Sequence, residues 1–287
     1  METEAQTKAQ TEAQAQTEAQ ANDAKAEFRI LHLYHDLMNL YGDWANAAVL
    51  ARELISRGRA ASVEKKSAGD TIDFAAYDFI YIGSGTERSQ HACMSYMEEY
   101  KDEIIARIEA GAYVLATGNS HELFGRAVTG DDGARFAALG LLDFETVQGD
   151  TRVTGDCVSG APFLGAKLVG FINRAGIGQK SGQEGGIERP FRNELGPGAN
   201  DGSKAEGIRY KNLLGTYMTG PVLVRNPPLL RYFADAMLNT GGLNTGGRFS
   251  CVVSATQENR PPVFDPFFEF QQAAYDMALA ELSARIK

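Results

Sequence analysis

The chain is poor in the residues that build metal centres and disulfide scaffolds. Among its 287 residues are three cysteines and four histidines: Cys93, Cys157, Cys251, His32, His35, His91 and His121. The cysteines are widely spaced and form no Cys-x-x-Cys pair, which argues against a disulfide framework and leaves few ligands for zinc. His32 and His35 lie with Asp36 in the first predicted strand and its turn, where a structural role is favoured over a metal site. We expect no metal and no cofactor.

Positive charge and long apolar runs are also scarce. The net charge is −9 and the sequence pI is about 5.1, which argues against nucleic acid as a main partner. No uninterrupted apolar run approaches the roughly 18 residues of a membrane span. The opening "METEAQTKAQ" lacks a basic segment followed by an apolar one, so we predict no signal peptide there. The expected location is the cytoplasm.

The first 26 residues form a low-complexity segment. Units such as "TEAQ" and "TKAQ" repeat there, without a large apolar side chain. Such a segment cannot bury enough surface to offset the entropy of ordering it. We therefore predict a disordered tail over residues 1–26 and a single folded domain over residues 27–287.

The first half of that domain alternates between strand and helix patterns. Strands are predicted at "FRILHLY", "RAASVEKKS", "YDFIYIGSG" and "AYVLATG", and helices over residues 46–57, 94–110 and from 122 to 128. This alternation predicts an α/β fold with a mostly parallel, doubly wound sheet and helices on both faces.

The second half has a different texture. Beyond about Leu139, short alternating segments rich in turn residues predict antiparallel or edge strands. Residues 176–207 suggest a long surface loop, and "TGGLNTGG" (residues 240–247) a flexible one. The closing stretch from residue 264 has the apolar spacing of an amphipathic helix, with Pro266 near its start.

Two strand ends carry the small residues that ligand sites in such folds use. After the strand at Ile82 comes "GSGTERSQ", whose backbone N–H groups could face an anion or an oxyanion. After Ala116 comes "TGNSHE", a sharp strand-to-helix turn of the kind that presents a nucleophile. We interpret Ser120 as the N-cap of the following helix.

Five blocks of the sequence resemble one family when read in order. They are "LYHDLMNLYGDWANAAVLARELISRG", "FIYIGSGTERSQ", "GLLDFETVQGDTRVTGD", "GFINRAG" and "KAEGIRYKNLLGTYMTGPVLVRNP". Together they resemble the cobyric acid synthase-like (CobB/CobQ) class I glutamine amidotransferases, in particular the GatD-type glutaminase subunits of lipid II isoglutaminyl synthases. The resemblance implies a flavodoxin-like class I amidotransferase fold. It also implies delivery of ammonia from glutamine to a Mur ligase-like partner that amidates a peptidoglycan precursor.

Alignment to the family blocks shows where its chemistry should lie. The family's nucleophilic cysteine falls on Gly118, and its general-base histidine falls on Thr219. The oxyanion loop is retained in character at Gly83, Ser84 and Gly85, and the N–H of Asn119 follows the missing nucleophile. Arg152 matches an arginine that, by resemblance, helps to bind glutamine.

The loss of both catalytic side chains predicts a subunit that does not hydrolyse glutamine by a Cys–His mechanism. Removing either member of such a pair removes most of the catalysis, because the two act together. The pocket could still bind glutamine or a related small molecule. The alternative is an active amidotransferase or amidohydrolase with an unconventional nucleophile, for which Ser120 and Cys93 are the candidates.

Overall fold

A computed structural model describes residues 27–175, 178–181, 187–199, 202–240 and 265–286. The described strands are β1 (Phe28–Leu33), β2 (Ala61–Lys66), β3 (Phe79–Ile82), β4 (Tyr113–Thr117), β5 (Ala127–Thr129), β6 (Arg135–Ala137), β7 (Phe144–Val147), β8 (Arg152–Ala161), β9 (Ala166–Ala175), β10 (Gly178–Ser181), β11 (Phe191–Leu195), β12 (Ala205–Glu206), β13 (Ile208–Tyr210) and β14 (Leu213–Thr216). The described α-helices are α1 (Ala45–Ser56), α2 (Glu87–Glu99), α3 (Lys101–Glu109), α4 (Val222–Arg225), α5 (Pro227–Thr240) and α6 (Pro266–Ser283).

The main sheet has six strands in the order β2-β1-β3-β4-β14-β13. The first five are parallel to their neighbours, and only β13 runs antiparallel, at one edge. Chain order and sheet order differ, so the connections cross over the sheet, as in a doubly wound α/β fold. The predicted mostly parallel α/β architecture is confirmed.

Both faces of the main sheet are covered, which explains why its central strands β3 and β4 are buried along their whole length. Phe79 and Tyr81 of β3 point into a core shared with α1 and α5. Ile80 and Ile82 of the same strand point into a second core, shared with α2 and α3. The alternation of side chains along one strand therefore supplies both cores.

Two helix predictions differ from the structure. The helix predicted over 94–110 is two helices, α2 and α3, which meet at the non-helical Tyr100. The first of the two, α2, begins at Glu87 and not at residue 94 as predicted. The Thr86 hydroxyl caps it by accepting a hydrogen bond from the Ser89 N–H at 3.0 Å.

The predicted helix after the β4 turn is wrong. Residues Gly118–Phe124 form a 3-10 helix, and the chain then enters β5. Ser120 is not a helix cap, because its hydroxyl donates to the carbonyls of Ile82 (3.1 Å) and Thr117 (2.9 Å). The hydroxyl bonds the ends of two neighbouring strands instead of a free helical N–H.

The second half forms two further four-stranded sheets, β10-β7-β5-β6 and β12-β11-β8-β9. The prediction of a long loop over 176–207 is wrong at three strands, β10, β11 and β12. Strand β10 pairs with β7, and β11 pairs with both β8 and β12. The C-terminal helix is confirmed as α6, which packs against β8, β9, α4 and α5.

Several predictions fall outside the described residues. They are the tail over 1–26, most of the flexible stretch at 240–247, and Cys251. Within the described ranges, no helix is both long and apolar enough to cross a membrane. The assignment of residues 27–287 to one domain stays a prediction.

Candidate ligand site at the strand ends

The candidate site lies at the carboxyl edge of the main sheet, where β3, β4 and β14 end side by side. Ile82 of β3 pairs with Ala116 of β4, and Thr117 of β4 pairs with Thr216 of β14. The loops that follow these strands are therefore neighbours, and the Gly118 N–H donates to the Met218 carbonyl at 3.1 Å. The glycine-rich loop after β3, the turn after β4 and the Thr219 loop after β14 therefore meet at this edge.

The turn after β4 has the backbone shape of a nucleophile elbow. Gly118 takes a left-handed conformation, with φ +64°, between the extended Thr117 and a 3-10 helix. Non-glycine residues adopt this conformation only with strain, as the nucleophile does in enzymes that use such a turn. Gly118 offers no side chain, so the elbow has no attacking group of its own.

Thr219 lies one loop away, and its groups are engaged. Its N–H donates to the Phe171 carbonyl at 2.9 Å, and its hydroxyl donates to the same carbonyl at 3.2 Å. A threonine hydroxyl does not take up a proton at neutral pH. The position predicted from the family resemblance for the general base therefore holds a side chain without that capacity.

A narrow cleft lies beside the elbow, with about 10 Å³ of internal space, roughly enough for one water molecule. Its walls are formed by Tyr41, Ser84, Gly85, Glu87, Asn119, Glu122, Gln148, Arg152, Asn173, Arg174 and Ala175. Four of the predicted ligand-site residues are in this set: Ser84, Gly85, Asn119 and Arg152. The structure thus brings these four together, although Arg152 is distant from the others in sequence.

Gly83 and Gly85 are needed for close backbone contact and not for flexibility. A methyl group on Gly83 would lie 2.5 Å from the Met38 carbonyl oxygen, and one on Gly85 would lie 2.4 Å from the Met38 sulfur. The predicted oxyanion donor at Gly85 is also engaged, since its N–H donates to the Asn119 side-chain carbonyl at 3.0 Å. An incoming oxyanion would have to displace that carbonyl.

Asp43 clamps two of the site's loops together. Its carboxylate accepts hydrogen bonds from the Ser84 N–H (2.7 Å), the Ser84 hydroxyl (2.9 Å) and the Gly220 N–H (2.9 Å). Burial raises the pKa of Asp43 to about 7, although the hydrogen bonds from Ser84 and Gly220 oppose that shift. This buried carboxylate fixes the loop after β3 relative to the loop after β14.

Asn46 supports the same junction. Its amide donates to the Gly220 carbonyl (3.0 Å) and the Tyr81 hydroxyl (2.8 Å), and its carbonyl accepts from the Leu223 N–H (2.7 Å). The Tyr81 hydroxyl bonds the Thr117 hydroxyl in turn, at 2.8 Å. The network links α1, β3, β4 and α4 beneath the elbow.

The floor of the cleft holds a buried carboxyl group, Glu122. One of its oxygens accepts from the Tyr217 hydroxyl at 2.7 Å, and the other from the side-chain amides of Gln90 (2.6 Å) and Gln148 (3.2 Å). Burial raises the pKa of Glu122, and the hydrogen bonds from the two glutamine amides counteract the rise. All three partners donate, so Glu122 is satisfied inside the protein.

His121 is placed next to the elbow but cannot act as its base. Its Nδ1 lies 2.6 Å from the Gly118 carbonyl oxygen, and its ring packs edge-on against Tyr217 with centroids 4.2 Å apart. Complete burial lowers the pKa of His121 to about 3. A group with that pKa takes up a proton poorly at neutral pH.

A chain of hydrogen bonds crosses the mouth of the cleft. Arg152 donates to the Glu87 carboxylate (2.7 Å) and to the Asn173 side-chain carbonyl (2.8 Å), and the Asn173 amide donates to the Tyr41 hydroxyl (3.0 Å). Tyr41 is half exposed and has a strained φ of +61°. Beneath this rim the guanidinium of Arg174, 1% exposed, lies 5.7 Å from the Tyr217 ring centroid.

Neither alternative nucleophile is presented to this cleft. Ser120 is fully buried, and its hydroxyl donates to the carbonyls of Ile82 and Thr117. Cys93 is also fully buried, and desolvation raises the pKa of its thiol. A buried thiol of this kind is a small apolar side chain and not a nucleophile.

The histidine pair near the end of β1 is part of the packing. The rings of His32 and His35 are 6.0 Å apart between centroids, and burial lowers the pKa of His32 to about 4. Among the described residues, no group of three or more metal-ligating side chains comes together. His32 packs against Tyr81 as a core side chain.

Sequence reasoning missed the clamp and the floor of the cleft. Asp43, Glu122 and Gln90 each lie in or beside a stretch that was recognised, but no pattern marked them as buried and bonded. Gln148 and Arg174 also lie in two of the family blocks, but no pattern singled them out as part of the site. The roles of these residues depend on partners that are distant in sequence. For example, Gln148 donates a hydrogen bond to Gln90, which lies 58 residues earlier in the chain.

The parallel sheet, the glycine-rich loop and the elbow define a class I glutamine amidotransferase-like protein. Residues 29–227 match the CobB/CobQ-like glutamine amidotransferase domain, and the chain belongs to that family. It is similar to the lipid II isoglutaminyl synthase (glutamine-hydrolyzing) subunit GatD of Staphylococcus aureus (strain N315), with 32% identity over 76% of this chain and 87% of the relative. The corresponding subunit of Streptococcus pneumoniae (strain ATCC BAA-255 / R6) is 30% identical over 71% of this chain and 77% of the relative.

Two solved structures of glutamine amidotransferases also match part of the chain. A glutamine amidotransferase crystal structure matches with a TM-score of 0.46 and 16% identity, covering 71% of this chain and 97% of that one. Another, from Thermotoga maritima, matches with a TM-score of 0.44 and 13% identity, covering 90% of this chain and 97% of that one.

Proposed function

We propose that this chain is a GatD-type subunit that binds a small amide or amino acid without hydrolysing it through a Cys–His pair. The carrying observation is an intact elbow that holds glycine, together with a threonine at the position of the base. The family framework is retained around a site that lacks both reactive side chains.

The cleft has the chemistry for non-covalent binding of such a ligand. Arg152 supplies positive charge at the rim, and the side chains of Asn119, Gln148 and Asn173 supply amide donors and acceptors. These groups complement a ligand that carries a carboxylate and an amide. A glutamine-like molecule therefore remains the expected ligand.

The proposed partner is a Mur ligase-like subunit, and the proposed setting is amidation of a peptidoglycan precursor in the cytoplasm. Support comes from the curated relatives, which are named as subunits of lipid II isoglutaminyl synthase. In this proposal the chain contributes a ligand-sensing or structural role to the complex and does not itself generate ammonia.

One assay tests the loss of hydrolysis. The purified full chain, alone and with the Mur ligase-like protein, is incubated with glutamine, and glutamate and ammonia are measured. We expect no release above the buffer control. Turnover that disappears in Ser120→Ala or Cys93→Ala would establish the alternative of an unconventional nucleophile and overturn the proposal.

A binding experiment tests the retained site. Titration calorimetry with glutamine should give measurable heat for the wild type, and Arg152→Ala should weaken binding about tenfold or more. Arg29→Ala is the matched control, since Arg29 forms a similarly exposed pair with Glu64 at the opposite end of the sheet. Equal loss in both variants would contradict the assignment of the ligand site.

A further inference from the structure

Ser84, in the loop that follows β3, lies directly against Gly118 of the elbow. A Cβ atom built on Gly118 would lie 2.6 Å from both the Cβ and the Oγ of Ser84, and 3.3 Å from its Cα. Non-bonded carbon atoms prefer separations of about 3.5–4.0 Å. A rotation of the Ser84 side chain moves Oγ but leaves its Cβ in place. Only a backbone shift, or removal of the Ser84 Cβ, would make room.

The backbone of Ser84 is poorly placed to shift. Its N–H and hydroxyl both bond to Asp43, and its carbonyl accepts from the Leu40 N–H at 3.0 Å. A side chain on the flanking Gly83 would collide with the Met38 carbonyl and Asp43, and one on Gly85 would lie 3.0 Å from the Leu37 carbonyl oxygen. The loop is therefore held from both sides against the segment that precedes α1.

We propose that Ser84, clamped by Asp43, occupies the space that a nucleophile on the elbow would require. The loss of the Cys–His machinery then involves three positions, Ser84, Gly118 and Thr219. This inference rests on the proposed function and deepens it. The Ser84 Cβ leaves no room for a thiol side chain at Gly118.

A thermal cycle with a matched control tests the steric part. Gly118→Cys in the full chain should lower Tm by roughly 5 °C or more, since overpacking of a fitted interior and strain at positive φ both destabilise. Adding Ser84→Gly should recover at least half of that loss. Adding Ser84→Ala should not, because alanine keeps the clashing Cβ and removes only the hydroxyl.

The single variants Ser84→Gly and Ser84→Ala complete the cycle and separate coupling from additive effects. An equal recovery with glycine and alanine, or no loss in Gly118→Cys, would overturn the inference. Alkylation of the thiol introduced by Gly118→Cys with iodoacetamide, followed by peptide mass spectrometry, gives a second readout. That thiol should react at least tenfold faster when Gly118→Cys is combined with Ser84→Gly than when it is combined with Ser84→Ala.

Restoring activity provides the functional arm. Ser84→Gly with Gly118→Cys and Thr219→His should release glutamate at least tenfold faster than the pair Gly118→Cys with Thr219→His. Equal rates in the two would overturn the role of Ser84 and leave the proposed function standing. Glutamine turnover by the wild type would overturn the proposed function instead, so the two failures are distinguishable.

Discussion

The floor of the cleft and its rim are built from similar residue types but are held in different ways. In the clamp and the floor, Asp43 and Glu122 are buried, and each carboxyl group accepts three hydrogen bonds from the protein. At the rim, Arg152 and Glu87 form a pair in which 47% and 39% of the side chains are exposed. Buried polar groups are costly to disturb, whereas exposed ion pairs contribute little to stability. The floor should therefore determine the fold of the site, and the rim its ligand.

The largest effect should come from the clamp. Asp43→Asn places an amide N–H opposite the donors of Ser84 and Gly220, which leaves buried donors unpaired. We expect the free energy of unfolding at pH 5 to fall by about 2 kcal/mol or more. Chemical denaturation with a matched variant of the exposed Asp36, Asp36→Asn, measures the difference. A loss no larger than in that control would show that the clamp is dispensable.

The same variant has a defined pH dependence. Burial raises the folded-state pKa of Asp43 from 3.8 to about 7. Between these values the folded state holds more protons than the unfolded state, so the wild-type contribution to stability falls as pH rises. Since asparagine does not titrate, the cost of Asp43→Asn should shrink as the pH rises from about 4 to about 7, by up to about 1 kcal/mol per pH unit. A cost that grows over this range would contradict the raised pKa.

An intermediate effect is expected at Glu122, where the kind of substitution matters. Glu122→Ala leaves the amides of Gln90 and Gln148 and the Tyr217 hydroxyl without their acceptor, and should cost about 2–4 kcal/mol. Glu122→Gln keeps the shape, and its amide can donate to Tyr217 if that hydroxyl rotates to accept. We expect a cost of about 1 kcal/mol or less for glutamine. Equal costs, measured by denaturation, would show that an isosteric amide cannot replace the carboxyl group and would contradict the expected difference between the two variants.

The smallest effect on stability is expected at the rim. Glu87→Gln and Arg152→Ala should each change the free energy of unfolding by no more than about 1 kcal/mol, and less at high salt. Their effect should instead appear in ligand binding. If Glu87→Gln or Arg152→Ala destabilised the protein as much as the Glu122 variants do, and salt did not change that loss, the distinction between rim and floor would be contradicted.

Particular elements show how far sequence reasoning reached. The parallel strands of the first half were predictable, because residues such as Phe79 and Ile82 lie in short continuous apolar runs with strong strand propensity. The segment after β4 was predicted as an α-helix and is a 3-10 helix. The Ser120 hydroxyl bonds the distant Ile82 carbonyl there, and the His121 ring contacts the Gly118 carbonyl three residues earlier. The strands β11 and β12 were missed because their pairing partners are distant and their composition is that of a loop.

The sequence by itself determined the family, the order of strands β1 to β4 along the chain, and the absence of a thiol and an imidazole at Gly118 and Thr219. These are properties of residue identity and of patterns along neighbouring positions. Only the tertiary structure decided that Ser84 fills the space over Gly118, that Asp43 holds Ser84 there, and that Glu122 closes the floor. The physical reason is separation along the chain. Gly118 lies 34 residues from Ser84, and Asp43 a further 41, so their contacts arise only when the sheet aligns its strand ends.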